Sequence, residues 1–383
     1  MIKMLKSIFK LEIDSKRIFG LDILRAAAIL FVVIAHGGML LPEEIRNIQG
    51  YFIFDGVSIF FILSGYLIGG ILIKILETQK ANLPNLLNFW MRRWLRTIPL
   101  YFLILTILIL IFYVFKSEFN LSEYIKYYLF IQNINTIHPE FFSEAWSLAI
   151  EEWFYILAPI TLFSLVGIFK MSPKKSVFYA AFVFIILITI YRYNLHLNLN
   201  ITDIIEWDNN FRKTVLTRLD SLMYGVLAAF AHFYYGDHWV KYKYPYFIVG
   251  LIIMIAIRLI SIYQLHGYGI YFSVFSFSLA AIGTALLLPF LSQIKTGTGF
   301  IAKSVTYISL ISYSLYLTHL SLIQLWLIPT LNLSQYFNGN NLILAQIFVY
   351  WTTSIALSLL LYKYFEIPCM NLRERFKPKN IAK

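Results

Sequence analysis

The apolar stretch at positions 21–41, LDILRAAAILFVVIAHGGMLL, carries three side chains that could do chemistry, Asp22, Arg25 and His36. Charged side chains are costly inside a membrane and usually face a protein or water-filled interior. Arg25 and His36 are eleven residues apart, about three helical turns, so they share nearly one face and lie roughly 16 Å apart along the axis. Hydrogen bonding to a neighbouring helix and an arginine reaching the membrane surface are the structural alternatives. The shared face favours function.

Carboxylates occur in two further apolar segments. Asp55 begins the segment DGVSIFFILSGYLIGG, and Glu151 and Glu152 lie within EAWSLAIEEWFY. An isolated carboxylate in a membrane span is expensive. Ser147 and Glu151 are four residues apart and share a helical face, whereas Glu152 points about 100° away. We therefore expect functional roles for Asp55 and Glu151 ahead of Glu152, although a structural ion pair would also account for adjacent acids.

Three arginines, Arg92, Arg93 and Arg96, lie close together in FWMRRWLRTIPLYF. Arginine binds phosphate oxygens through two parallel hydrogen bonds, which suits a nucleotide-bearing donor such as coenzyme A. Anchoring of a helix end at the cytoplasmic surface, with Trp90 and Trp94 at the interface, is the simpler explanation from the sequence alone.

Two later segments also hold buried polar candidates. His319, in YSLYLTH, is a second histidine within an apolar run, and its spacing does not decide between a structural and a catalytic role. Arg218 and Asp220, in TRLDSLMYG, predict a mutual or interhelical ion pair. No HxxxH or HExxH spacing occurs in the sequence, so a metal site is not supported.

These side chains need a framework, and the composition predicts one within the membrane. Of 383 residues, 59% are apolar and 14% are charged, against roughly 45–50% and about 25% in globular domains. Ten segments reach the about 20 residues that a helix needs to cross the hydrocarbon core. We predict an all-α polytopic membrane protein, with about ten transmembrane helices in one bundle and a single domain over 1–383. The predicted spans are 21–41, 52–74, 98–115, 145–168, 176–192, 216–235, 246–264, 269–291, 305–328 and 342–362.

The charge distribution predicts the orientation of the bundle. The chain has 32 Lys and Arg against 20 Asp and Glu, a net charge of +12. With the N-terminus inside, most basic residues fall on the inner side, including the segment 1–20 and the tail 367–383. The positive-inside rule therefore predicts that both termini are cytoplasmic. Topology explains the net charge, so nucleic-acid binding loses its support.

Five of these stretches together resemble acyltransferase family 3, a family of integral membrane O-acyltransferases. The resemblance rests on Arg25 and His36 spaced as R-x10-H, and on DGVSIFFILSGYLIGG, RRWLRTIPLY, EAWSLAIEEWFY and YSLYLTH. It implies transfer of an acyl group, commonly acetyl, from cytoplasmic acyl-coenzyme A to a hydroxyl. The acceptor is usually an envelope carbohydrate, such as lipopolysaccharide O-antigen or exopolysaccharide, at the bacterial inner membrane. We expect this chain to work alone or with a separate envelope-assembly partner.

The residues support such chemistry independently. A hydroxyl is a poor nucleophile at neutral pH, and a positioned histidine supplies the base. We predict that His36 is this base or carries the acyl group, and that Asp55 or Glu151 orients it. We predict that the acyl-coenzyme A donor is bound by Arg25, Arg93 and Arg96. The residues predicted to contact substrate are Trp146, Ser147, Glu152 and His319.

Two other classes of protein fit the same pattern. Buried charges in ten spans also describe a proton-coupled transporter or flippase for a sugar or lipid-linked substrate, although the sequence has no internal repeat. A non-catalytic scaffold leaves the burial of Arg25, His36 and Asp55 without a reason.

Overall fold

The computed structural model describes residue 11 and residues 17–115, 120–263 and 268–372. Within these residues the structure is helical and contains no strands. Most of the predicted basic segment 1–20 and the end of the tail 367–383 lie outside the described residues. Nine described helices are long and apolar enough to cross a membrane, which confirms the predicted all-α membrane architecture.

Ten long helices follow one another along the described chain. They are α1 Phe19–Gly37, α2 Gly56–Thr78, α3 Leu83–Phe115, α4 Ala145–Gly167, α5 Pro173–Asn198, α6 Leu219–Tyr234, α7 Lys243–Tyr263, α8 Ser276–Leu291, α9 Gly299–Thr318 and α10 Gly339–Leu361. Wide π-helical turns precede α8 at Tyr271–Phe275, extend α9 at His319–Leu327 and extend α10 at Tyr362–Glu366. The shorter α-helices are Glu43–Gly50, Leu121–Tyr128, Ile204–Trp207, Gly236–Lys241, Ile328–Thr330 and Ile367–Leu372.

The predicted span 216–235 is the exception among the ten, because α6 has only 16 residues, whereas α8, of the same length, is extended by the π-helical turn before it to 21 residues. It nevertheless runs alongside α2 over most of that helix. Arg218, before its first turn, bonds to Ser58 at 2.8 Å, and Tyr234 at its end bonds to Glu77. A Cβ atom at Gly65 would collide with a carbonyl oxygen of α6, so the backbones of α2 and α6 touch. Close approach of small residues explains how a short helix crosses beside a longer one.

Helix α3 differs from its predicted span 98–115, since it begins at Leu83 and has 33 residues. Leu86 and Phe89 bury against the bundle in its first turns, so packing extends the helix through the basic segment. The arginines of this segment therefore project from a rigid helix.

Both ends of the described chain lie at the same side of the bundle. Gly20 donates its backbone N–H to the carbonyl of Ile294 after α8, at 2.9 Å. Leu11 packs in one apolar cluster with Tyr362 and Met370 at the end of α10. We call this side the inner side and the opposite side, where α1 ends and α2 begins, the outer side.

Candidate active site

Helix α1 places His36 against a residue 283 positions later in the chain. Its Nδ1 lies 2.8 Å from Nε2 of His319, and the two rings stack with centroids 5.0 Å apart and an interplanar angle of 24°. His319 is the first residue of the π-helical extension of α9 and is fully buried. His36 is partly exposed. The two histidines predicted on separate spans therefore form one pair.

The hydrogen bonds of His319 determine which nitrogens carry protons. Its Nδ1 lies 2.9 Å from the backbone carbonyls of Leu315 and Tyr316. A carbonyl only accepts, so Nδ1 of His319 donates and its Nε2 is left as an acceptor in the neutral ring. Nδ1 of His36 must then donate to that Nε2. The remaining nitrogen of His36, Nε2, is left unprotonated, which is the form a general base requires.

The prediction that Asp55 orients His36 is not what the structure shows. Asp55 caps α2, accepting from the backbone N–H groups of Val57 and Ser58, and it forms an ion pair with Arg212 at 3.3 Å. Burial acts to raise the pKa of Asp55, but the guanidinium groups of Arg212 and Arg218 and a hydrogen bond from Ser58 lower it to about 2. The carboxylate of Asp55 therefore binds the N-terminus of α2 and the guanidinium of Arg212.

Glu151, the other predicted partner of His36, is also bound elsewhere. It accepts a hydrogen bond from the hydroxyl of Tyr155 at 2.6 Å and forms an ion pair with Arg93 at 3.4 Å. The guanidinium of Arg93 lies over the Tyr155 ring, 4.0 Å from its centroid. Glu152 points away and accepts from the hydroxyl of Thr97 at 2.9 Å. Both acids therefore attach α4 to α3. The sequence could not predict these contacts, because helical periodicity sets the face on which a side chain lies but not the side chain that it meets.

A cavity of about 950 Å³ lies between α1, α2, α3, α4 and α9. Its wall along α2 runs from Val57 to Gln79, roughly 33 Å of helix, so the cavity follows most of the depth of the bundle. Among the described residues, five basic side chains and one acid, Glu151, face it. The basic residues are Arg25, Lys74, Arg92, Arg93 and Arg96.

The predicted donor-binding arginines thus line one cavity. Arg25 comes from α1 and also lies 3.9 Å from Asp22, while Arg93 and Arg96 come from the long helix α3. Lys74 of α2 joins them. Lys74 is not among the residues that the sequence predicts to bind the donor. Its position near the inner end of an apolar span could have marked it, but basic residues at such positions commonly anchor a helix at the membrane surface.

At its outer end the cavity is lined by Phe60, Ser147 and Tyr316, among other residues. The hydroxyl oxygens of Ser147 and Tyr316 are 2.7 Å apart. The ring of Tyr316 lies 6.0 Å from that of His319, centroid to centroid. One aromatic side chain, that of Tyr316, thus faces the cavity and also lies next to the histidine pair. The sequence places Tyr316 three residues before His319, but gives no sign that its side chain faces a cavity.

The remaining predicted residues lie around this site. Trp146 is buried, and the guanidinium of Arg212 lies 4.8 Å from its ring centroid. The predicted ion pair of Asp220 is interhelical: its partner is Arg192 of α5, at 2.7 Å, with both side chains fully buried. Arg218 instead donates to Ser58.

A family model described as an acyltransferase domain, that of acyltransferase family 3, matches residues 18–363. The chain belongs to acyltransferase family 3. The match includes all the residues of the cavity and of the histidine pair. Membership and the apolar helices together make it an integral membrane protein.

Among relatives, O-acetyltransferase OatA of Staphylococcus aureus strain NCTC 8325 is 34% identical to this acyltransferase family 3 chain over 164 residues. The aligned segment covers 39% of this chain and 26% of the relative. OatA of S. aureus strain COL gives the same values. The match therefore spans about a quarter of the length of these relatives. No solved structure matches the chain.

Proposed function

We propose that this protein is a membrane O-acetyltransferase of the bacterial cytoplasmic membrane, which moves an acetyl group from cytoplasmic acetyl-coenzyme A to a hydroxyl of an envelope carbohydrate. The observation that carries the proposal is the basic cavity that approaches a histidine pair from the inner side. The relatives named O-acetyltransferase support the choice of an oxygen acceptor and an acetyl group.

The chemistry of the cavity suits coenzyme A. Arginine side chains recognise phosphate through charged, paired hydrogen bonds, and Arg92, Arg93 and Arg96 face the cavity from one helix. Its outer half is lined by apolar and hydroxyl side chains, including Phe60, which suit the uncharged thioester arm. The volume of about 950 Å³ is near the top of the range of about 300–1,000 Å³ that is usual for small-molecule sites.

His36 provides the base for the transfer. Its Nε2 removes the proton of the acceptor hydroxyl as that oxygen attacks the carbonyl carbon of the thioester. The tetrahedral intermediate then breaks its C–S bond, and the leaving thiolate takes the proton back from His36. The products are an acetyl ester and free coenzyme A, and the enzyme is unchanged. His319 is the positioning residue, because its Nε2 keeps the proton of His36 on Nδ1.

The proposal is tested in inverted membrane vesicles from cells that make the protein, because their exposed cytoplasmic face meets the donor directly. Acetyl-coenzyme A labelled in the acetyl group is added, and the initial rate of label incorporation into envelope carbohydrate is measured. We expect incorporation with the native protein and its loss with His36→Ala at an equal protein level. The matched control is His238→Ala, which removes an exposed histidine at the inner side.

Incorporation that persists in the His36→Ala vesicles would exclude His36 as the base. No incorporation by the native protein, together with movement of a carbohydrate or lipid-linked sugar across the membrane without acetyl-coenzyme A, would replace the proposal with a transporter.

A further inference from the structure

The outer end of the donor cavity holds two hydroxyls that the mechanism above does not use. Ser147 comes from the first turn of α4 and Tyr316 from the last turn of α9, and their oxygens are 2.7 Å apart. Their side chains are almost fully buried in the bundle, yet both face the cavity. They are polar groups at the outer end of the cavity that a thioester would enter from the inner side.

One backbone carbonyl organises the pair. The Tyr316 hydroxyl lies 3.2 Å and the Ser147 hydroxyl 3.4 Å from the carbonyl oxygen of Glu144. The two hydroxyls therefore form two hydrogen bonds: one hydroxyl donates to the carbonyl, and the other donates to its partner hydroxyl. When a third acceptor enters the cavity, one hydroxyl can turn to it while the other keeps its partner. Neither group becomes an unsatisfied buried donor, which would cost about 1–3 kcal/mol.

The turn of α9 that carries Tyr316, one member of this pair, also leads into His319, the partner of the proposed base. The carbonyl of Tyr316 accepts from Nδ1 of His319 at 2.9 Å, and His319 in turn accepts from His36. The Tyr316 ring packs between Phe60, 6.4 Å away centroid to centroid, and His319. The hydroxyl pair is therefore fixed relative to His36 by rigid contacts.

We propose that the hydroxyl pair of Ser147 and Tyr316 is the oxyanion site of the reaction, and that both are catalytic residues. The inference rests on the proposed function. As the acceptor oxygen adds to the carbonyl carbon and its proton passes to His36, the carbonyl oxygen gains a full negative charge. A hydroxyl of the pair donates to that oxygen, and the charge returns to sulfur when the C–S bond breaks. Donors fixed in advance in a dry site stabilise such a charge strongly.

A structural role would have a different signature. The contact between Ser147 and Tyr316 joins α4 to α9, so a merely structural pair would affect stability or donor affinity. An oxyanion donor acts in the transition state, so its removal lowers kcat and leaves donor binding unchanged.

Tyr316→Phe is the first variant, since it keeps the ring that packs on Phe60 and His319. The rate of acetyl incorporation is measured in inverted vesicles, and the dissociation constant of acetyl-coenzyme A is measured by calorimetry on the purified protein. We expect kcat to fall by about 10²–10³-fold with the dissociation constant unchanged. Ser147→Ala should lower kcat less, because the phenol of Tyr316 is more acidic than the serine hydroxyl, is the stronger donor of the two, and remains in this variant. The double variant should be little slower than Tyr316→Phe, since the pair acts as one unit.

Tyr101→Phe is the matched control, because it removes another buried hydroxyl that donates to a backbone carbonyl, that of Tyr127 at 3.0 Å, away from the cavity. Native vesicles without incorporation would refute the proposed function itself. Active native vesicles with Tyr316→Phe and Ser147→Ala at the native rate, or with losses matched by weaker donor binding, would overturn the oxyanion site alone.

Discussion

At the scale of single residues, the proposed base, His36, is oriented by a neutral group, the imidazole of His319. His319 accepts from Nδ1 of His36 and is itself held by two backbone carbonyls. A carboxylate in that place would add a negative charge to a site that must also admit an acyl thioester and an acceptor. A neutral imidazole fixes the tautomer of His36 without adding charge.

Replacement of His319 tests this role. His319→Phe removes the acceptor for Nδ1 of His36, so we expect kcat to fall by about 10²-fold while donor affinity is kept. In His319→Gln the amide oxygen can accept from Nδ1, so part of the rate should return. The measurement is the pH dependence of acetyl incorporation in inverted vesicles. Equal rates for the Phe and Gln variants would show that His319 does not act through the Nδ1 proton.

At the scale of helices, the position of the histidine depends on how α9 is fastened to α4. Glu144, at the residue before α4, accepts from the backbone N–H of Ser321 at 2.8 Å and from its hydroxyl. Ser321 lies in the π-helical extension that begins with His319. Such wide turns are rare in proteins overall, and many of those that occur lie at functional sites. One buried carboxyl thus fixes the turn that carries the partner of the base.

This fastening predicts a dependence of stability on pH. Burial is the main influence on Glu144 and raises its pKa to about 7, although hydrogen bonds from Ser321 oppose the rise. A carboxyl whose pKa is higher in the folded state binds more protons when folded, so stability falls as the pH rises. We expect a loss of about 3 kcal/mol between about pH 4.5 and pH 7.

The measurement is thermal unfolding of the detergent-solubilised protein across this pH range. Glu144→Gln keeps the acceptor for Ser321 but does not ionise. The unfolding temperature of this variant should therefore lack the part of the fall with rising pH that Glu144 causes. The same slope in the variant and in the native protein would assign the effect to another group.

At the scale of the whole molecule, the arrangement would separate the two proposed substrates by side. The basic end of the cavity lies at the inner side, with Lys74 and Thr78 at the end of α2. His36 lies at the outer end of α1, on the side of the cavity where Phe60 and Tyr316 pack together. A donor from one side and an acceptor from the other would therefore meet at the histidine pair.

The predicted orientation of this bundle can be measured by cysteine labelling. Cys369 is the one cysteine of the chain, so Cys369→Ser provides a background without thiols. A membrane-impermeant thiol reagent should label Thr78→Cys from the cytoplasmic side, and coenzyme A should protect it because the donor fills the cavity. Ile205→Cys, which is 68% exposed at the outer side, should label only from the opposite side. The reverse pattern would invert the predicted topology.

Much of the architecture could be predicted because membrane spans carry a strong local signal. Nine of the ten spans follow from length and hydropathy, whereas the orientation that the basic residues predict stays a prediction. The extent of α3 could not be predicted from the sequence, because the burial of Leu86 and Phe89 prolongs this helix through its arginine segment. Local composition does not contain such contacts.

The sequence by itself determined that several apolar spans carry polar side chains, that Arg25 and His36 lie on one helix at two depths, and the resemblance to the family. Only the tertiary structure decided their neighbours. It pairs His36 with His319, which lies 283 residues away in the chain. It also shows that the two predicted carboxylate partners of His36 form ion pairs elsewhere, Asp55 with Arg212 and Glu151 with Arg93. The physical reason is that helical periodicity fixes the direction of a side chain on its own helix, whereas its partner depends on how distant helices pack.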